Sequence, residues 1–417
     1  MSNLLIISDL HLGGTLRGED IVASEAGQIP VTALRRVIKH DRGICRFIDY
    51  HRENPLNDIE GRPQPWTLVL NGDSIDFLHI DLRPREGATS PQTEDERLYG
   101  LSFEETRSRW KLSVICRVHR RSLRALARFV DAGNEVVFVI GNHDVDLWFD
   151  GVREDLLSQL QQHSERPERL EALVRFEPWF FYEEGRAYIE HGHRFDPYNT
   201  FPDPLMPLAL DREQHLAPNF THYGMRFFCN RVRSFPVHEM DINPVSKIMS
   251  WIREHSWREI FLAVAQAFVF MWFYLVDTIR HRDRKSRSEA SFRDHRRRRL
   301  REFAARYGMP IARILALDAL KRTYVGATVG RLLKGMLIDR ILLVVLGAVG
   351  SCLCFWLYDG WYALLATLGT VVAGLLTSGL FDQTRPIVDV HPILGRVAHK
   401  ISYLTGVPVV VFGHTHN

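Results

Sequence analysis

The sequence predicts an α/β protein, a layered β-sandwich flanked by helices, with an inserted, helical, membrane-associated block. Three observations carry that prediction. Short runs rich in β-branched residues each end on a polar motif, the pattern of buried strands that present ligands at their carboxyl ends. Helical stretches fill the gaps between those runs. From about Ser256 the composition turns apolar, then basic, then apolar again.

The first strand is Leu4–Ser8, which runs straight into Asp9-Leu10-His11. A helix over Leu34–His51 precedes the second strand, Thr67–Leu70, and Gly72-Asp73-Ser74-Ile75-Asp76 follows it. A helix over Arg107–Ala132, ended by Gly133-Asn134 as a helix terminator should end it, leads to the third strand, Val136–Ile140. Gly141-Asn142-His143-Asp144 comes next, then the strand Ala187–Glu190 with His191-Gly192-His193. The last strand, Val407–Phe412, delivers Gly413-His414-Thr415-His416. Five stretches of Asp, Asn and His, each beside a strand, supply the ligands that a pair of divalent metals needs, and two-metal sites hydrolyse phosphate esters.

At 417 residues the chain has room for two domains, or for one with large insertions. Hydrophobic residues make up 46% and charged residues 25%, which excludes a disordered chain. A formal charge of +3 is too small to signal a nucleic-acid partner. The five cysteines are scattered and lack zinc-finger spacing, so no disulfide framework is expected. The opening residues lack a basic stretch and a cleavage site, so the first strand is expected in the cytoplasm.

Residues 1–255 read as the first part of a catalytic domain, 256–385 as the hydrophobic insertion, and 386–417 as the end of the catalytic domain. The chain stops one residue past His416, so either the sequence is cut short or the fold ends early. Within the insertion, Ile260–Val276 is apolar apart from Gln266, and Ile341–Leu357 and Trp361–Phe381 carry no charge. The last two read as a membrane hairpin (341–381) joined by Tyr358-Asp359-Gly360. Arg280–Arg301 holds eleven Lys/Arg against three Asp/Glu. A solvated helix face or a nucleic-acid patch is the bland reading of such a run. Its place after an apolar segment favours anionic lipid headgroups on the cytoplasmic leaflet. If both chain ends reach one metal centre, the number of crossings is even. The hairpin then crosses out and back, and Ile260–Val276 lies in the interface or enters without crossing. The expected location is the cell membrane, with the catalytic domain on the cytoplasmic side.

Taken together, the five motifs resemble the signature blocks of the calcineurin-like metallophosphoesterases, over residues 1–200 and the last dozen. The resemblance implies that Asp9, His11 and His416 hold a first metal, that Asn142, His191 and His414 hold a second, and that Asp73 bridges them. Two ions about 3.5–4 Å apart can share one water, which becomes hydroxide near neutral pH and attacks phosphorus in line. Manganese is the expected activator, with zinc, iron or magnesium as rivals, because a mixed N/O site does not choose sharply. By the same resemblance His143 faces the leaving oxygen rather than a metal, and Asp76 orients it.

Other residues carry plainer readings. Asp144 and Asp146 read as caps of the next segment, and Asp196 as a turn residue. His193 reads as a support for His191 or a substrate contact. His51, His79, His119 and His163 read as ordinary surface or packing histidines. Protein phosphatases of the superfamily carry Arg after the second Asp of the Gly-Asp block, whereas Phe77 follows Asp76 here, which argues against a phosphoprotein substrate.

The insertions Gly13–Pro65 and Asp81–Arg107 could wall the site. With the apolar block they suggest an amphiphilic phosphoester, head at the metals and tail in lipid. The His191-Gly192 block followed by Asp196 is similar to that of UDP-2,3-diacylglucosamine diphosphatases, which implies a nucleotide-linked acyl sugar as the type of substrate. Arg17, Arg35, Arg36, Arg83 and Arg85 could meet further phosphates, with solvated surface as the alternative. Two rival readings are a membrane-tethered phosphodiesterase for nucleotides or nucleic acid and a non-catalytic metal-binding membrane module. The oligomeric state is not legible.

Overall fold

The computed structural model describes residues 2–14, 16, 31–84, 89–209, 212–235, 250–287, 289–335, 338–358, 360–382 and 390–415. His416, Arg17, Arg85 and Asp359 lie outside the described residues.

The described strands are β1 (Asn3–Ile7), β2 (Trp66–Asn71), β3 (Glu135–Val139), β4 (Val174–Glu177), β5 (Phe180–Glu183), β6 (Ala187–Glu190), β7 (Leu208–Ala209), β8 (Arg212–Leu216) and β9 (Val409–Phe412). The first four form a parallel sheet in the order β1-β2-β3-β4. A second sheet runs β5-β6-β9, antiparallel then parallel, and β7 and β8 pair separately. Ile7 pairs with Leu70 and Asn71 with Val139, so β1, β2 and β3 end level. Glu190 pairs with Phe412, so β6 and β9 also end level. Each anticipated metal loop therefore leaves its sheet at the carboxyl edge of a strand.

Alternation along the strands explains the layers. Val69, Val137 and Val139 of the first sheet share a core with Phe181, Ala187 and Ile189 of the second. The neighbouring Leu68, Leu70, Val136 and Phe138 point the other way, into a second core. There they meet residues of α1 (Val31–Glu53), α3 (Glu105–Val118), α4 (Arg120–Asp131), α5 (Asp150–Gln161) and α6 (Pro167–Leu173). The short α2 (Glu94–Tyr99) precedes α3. On the second sheet Phe180, Tyr182 and Tyr188 face outward and meet the helices Glu289–Arg306, Ile311–Ala319 and His391–Thr405. The fold is thus mixed α/β, with two sheets sharing an apolar interface and helices on the outer faces.

Several expectations need correction. Arg107–Ala132 is not one helix, because it breaks at His119 (φ −96°, ψ 27°) between α3 and α4. The buried His119 ring is 2.7 Å from Asp41 Oδ1, and its Nε2 accepts the Gly13 N–H at 3.1 Å. The break coincides with this long-range tie to Asp41 and Gly13. Part of the anticipated insertion packs on the outer face of the second sheet, through Leu300, Phe303, Ile314 and Leu317. Within the basic run Arg296 turns inward, pairing with Asp318 and, at 3.1 Å, with Asp203.

Two described helices are long and apolar enough to cross a bilayer, Trp257–Arg280 and Trp361–Gly379. The segment Val345–Leu357 is apolar but shorter. It belongs to a 20-residue helix, Ile338–Leu357, whose first turn carries Asp339 and Arg340.

Candidate metal centre

Loops from five strands meet at one edge of the two sheets. The Asp9 carboxylate accepts the His414 N–H at 3.2 Å, across 405 positions of sequence. His11 N–H donates to the Asp73 carbonyl at 2.8 Å, and His143 N–H donates to Asp73 Oδ1 at 2.8 Å. Asp73 Oδ2 lies 3.2 Å from His191 Nε2. That same nitrogen lies 3.2 Å from Asn142 Oδ1.

The donors fall into groups that fit a cation. Asp9, His11 and Asp73 form one group, and Asp73, His191 and His414 form another, with donor atoms within 4.8 Å of one another in each. Asp73 belongs to both. A carboxylate shared between two clusters of imidazole and carboxylate donors is the donor chemistry that divalent ions take.

Backbone strain singles out the same residues. Among the described residues the non-glycines at positive φ are Asp9 (58°), His11 (47°), Asp73 (51°) and His414 (72°). Such conformations are uncommon for residues with a Cβ and cost on the order of 1–3 kcal/mol each. The cross-loop hydrogen bonds just described hold them in place. Two motif glycines are required by close approach. A Cβ on Gly72 (φ +78°) would sit 2.3 Å from His191 Nδ1, and one on Gly141 would sit 2.3 Å from Asp73 Oδ1.

Asp76 is buried beside this edge and serves three imidazoles. Its Oδ2 is 2.7 Å from His79 Nδ1 and 3.0 Å from His11 Nδ1, while its Oδ1 is 3.3 Å from His143 Nδ1. The contact to His143 is an ion-pair distance without hydrogen-bond geometry, so this ring nitrogen has no hydrogen-bond partner among the described residues. His79 is therefore not an ordinary packing histidine. It stands 4.7 Å from the His143 ring in a four-residue group with His11 and Asp76. Its spacing of three residues after Asp76 was the available signal.

Electrostatics follow from burial and charge. Burial disfavours the Asp73 carboxylate, but His191, His143 and His11 hold it well below the usual range. Burial likewise favours a neutral His143, yet Asp73 and Asp76 push the ring up to about 9. A cation at Asp73 would compete with that effect, because it would claim the same carboxylate charge.

Asp144 sits at the N-cap position of a short 3₁₀ turn, Val145–Trp148, but makes no cap bond. Instead it accepts N–H groups from Ser74 at 2.8 Å and Gly141 at 2.6 Å, tying two metal loops together. Asp146 meets the Ser108 hydroxyl rather than capping. Asp196 is a turn residue, accepting the Tyr198 N–H at 2.8 Å, and it also reaches His414 Nε2 at 3.0 Å. His193 is buried with its ring 5.6 Å from His191, and its Nδ1 lacks a partner among the described residues. His51 packs against Phe47, Tyr50 and Trp66, as expected of a packing residue.

Comparison of the chain with protein-family models, with curated proteins and with solved structures finds no match in any of the three.

Proposed function

We propose that this chain is a membrane-associated, dinuclear-metal-dependent hydrolase of phosphoesters or pyrophosphates, of the calcineurin-like metallophosphoesterase type. The observation that carries the reading is the convergence of Asp9, His11, Asp73, His191 and His414, four of which hold strained backbone where their donor atoms meet. Asp9, His11 and Asp73 would hold one divalent ion, and Asp73, Asn142, His191 and His414 the other. Two such ions supply Lewis acidity and an activated water for in-line attack on phosphorus.

The chain's own residues do the rest. The Asp73 carbonyl accepts the His11 N–H and its carboxylate accepts the His143 N–H, which ties the three loops together. His143, beside Asp73 and Asp76, is the proton donor to the leaving oxygen, a role its charged form suits. Asp76 fixes the rings of His11 and His79 and sets the charge beside His143. Exposed apolar helices support an amphiphilic substrate, such as a nucleotide-linked acyl sugar, presented at a bilayer.

The test is a substrate panel offered to manganese-loaded protein: a UDP-linked acyl sugar, phosphatidyl lipids, a phosphopeptide and a bis-aryl phosphodiester. Turnover of the acyl sugar or the lipids supports the proposal. Turnover of the soluble diester alone favours a tethered phosphodiesterase, and full activity in metal-free protein ends the scheme.

A further inference from the structure

Composition treats the two long apolar helices alike, but packing separates them. Trp257–Arg280 is held along one side by the domain that carries the metal loops. Ala263 packs with Val232 and Trp251. Phe270 and Tyr274 meet Phe220 with ring centroids 4.9 and 5.3 Å apart, and Phe273 stacks on Phe227 at 4.3 Å. Further on, Tyr274 and Thr278 close over Gly326, where a Cβ would come within 2.6 Å of the Tyr274 hydroxyl. Ala263 to Thr278 is about 22 Å of helix, so the support covers most of its length. Phe273 also meets Tyr99, at the end of α2. The same short helix carries Glu96, ion-paired to Arg107 at 2.8 Å. Crossing the bilayer would draw such groups toward hydrocarbon at about 2.5–3.5 kcal/mol per charge.

The opposite side of this helix is bare. Trp257, Phe261, Val264, Phe268, Trp272 and Ile279 are 49% to 84% exposed. Their spacing of three, four and seven puts them on one face. Later in the chain, on the helix Glu289–Arg306, Arg297, Arg298 and Arg301 are exposed, charge that anionic lipid would complement.

The hairpin is different. Its helices, Ile338–Leu357 and Trp361–Asp382, have uncharged runs of 17 and 21 residues (Ile341–Leu357 and Trp361–Phe381), about 25 and 31 Å against the roughly 30 Å of a hydrocarbon core. They pack on each other where a Cβ on Gly350 would lie 3.0 Å from Thr370, the close approach that small residues allow between membrane helices. Leu346, Val349, Leu353, Leu365, Leu368 and Leu376 are exposed around the pair. Trp356, Tyr358, Trp361 and Tyr362 crowd the tip, as an interfacial aromatic belt does. Ser351, Thr370 and Thr377 donate to carbonyls one turn back, which satisfies them without water.

We propose that the helix Trp257–Arg280 lies flat in the surface of an anionic bilayer with its Phe261–Phe268–Trp272 stripe in the acyl boundary, and that the hairpin Ile338–Asp382 alone crosses. Two crossings keep Asp9 and His414 on one side, as their 3.2 Å contact requires. The inference does not depend on the hydrolase reading, and its test has no hydrolytic readout.

The full chain is reconstituted in vesicles of phosphatidylcholine and phosphatidylglycerol, with a nitroxide placed through Phe261→Cys, Phe268→Cys, Trp272→Cys or Ile279→Cys, and in the hairpin through Leu346→Cys, Val349→Cys or Leu353→Cys. Collision with oxygen against a water-soluble nickel complex reports depth. The expected result is one shallow depth for all four stripe positions and a graded depth along the hairpin. A maximum at Phe268 with shallower ends overturns the proposal, because the helix then crosses. Water-exposed stripe positions overturn it too. A second measurement guards against misfolded label variants: Phe268→Lys should leave the protein resistant to carbonate extraction, whereas Leu368→Lys should release it. Equal release by both refutes the assignment.

Discussion

Asp73 is the residue on which the site turns, because one carboxylate belongs to both donor groups. Asp73→Ala is expected to abolish metal loading and activity together, read by metal analysis of the purified protein. His143 should behave differently. It belongs to neither of the groups built on Asp73. His143→Ala is therefore expected to retain metal while turnover falls about 10²–10⁴-fold, the usual cost of a lost general acid. Loss of metal in that variant would show the roles to be misassigned. His79 belongs to neither of the groups built on Asp73 but shares Asp76 with His11 and His143. Outer partners of this kind typically cost about 10–100-fold when removed. His79→Ala should lower activity by that amount, with His79→Gln retaining more, since its amide can still donate to Asp76.

The elements that carry the site depend on caps and ties whose strength varies with pH. Thr93 and Glu96 form a capping box at the start of α2, and Glu96 also pairs with buried Arg107. Burial pushes the Glu96 carboxyl up, but Arg107 and the N–H groups of Ser102 and Thr93 bring it down from 4.5 to about 2. The unfolded carboxyl takes up its proton near 4.5, whereas the folded one waits until about 2. The stabilisation is therefore complete above pH 4.5 and is lost as pH falls toward 2. Glu96→Gln should lower the thermal midpoint at neutral pH, and the gap should close steadily on acidification below 4.5. A gap that does not change with pH would mean that packing, not charge, holds α2. The elements also mark how far the sequence could be read. β1, β2, β3, β6 and β9 were legible because each apolar run ends on a ligand motif. β4 was not, since its Val174-Arg175-Phe176-Glu177 is only four residues long and no ligand motif follows it. The break at His119 was invisible because helical periodicity runs through it and its partner Asp41 is 78 residues away. Likewise the ties that Asp144 makes to Ser74 and Gly141 exist only once three loops have met.

At the scale of the whole molecule, Asp9 and His414 meet at the site, and the apolar block is a loop between them in sequence. Such a loop can be shortened if its two ends lie on the same side and its removal uncovers no core. Among the described residues the hairpin fits the second condition, because Val345, Leu346, Leu364 and Leu365 are exposed. Replacing Ile338–Asp382 with a flexible Gly/Ser linker should therefore leave the rate on a soluble diester within about twofold, given that loop closure costs change slowly with length. Membrane attachment should change in kind. With the hairpin, only detergent should release the protein. Without it, the stripe on Trp257–Arg280 and the exposed arginines remain, and they bind by a modest apolar area plus charge that salt screens. The shortened protein should wash off anionic vesicles in high salt and rebind when salt is lowered. Continued resistance to salt would mean that the long helix itself is inserted. Loss of activity on the soluble diester would mean that the hairpin helps to hold the site together.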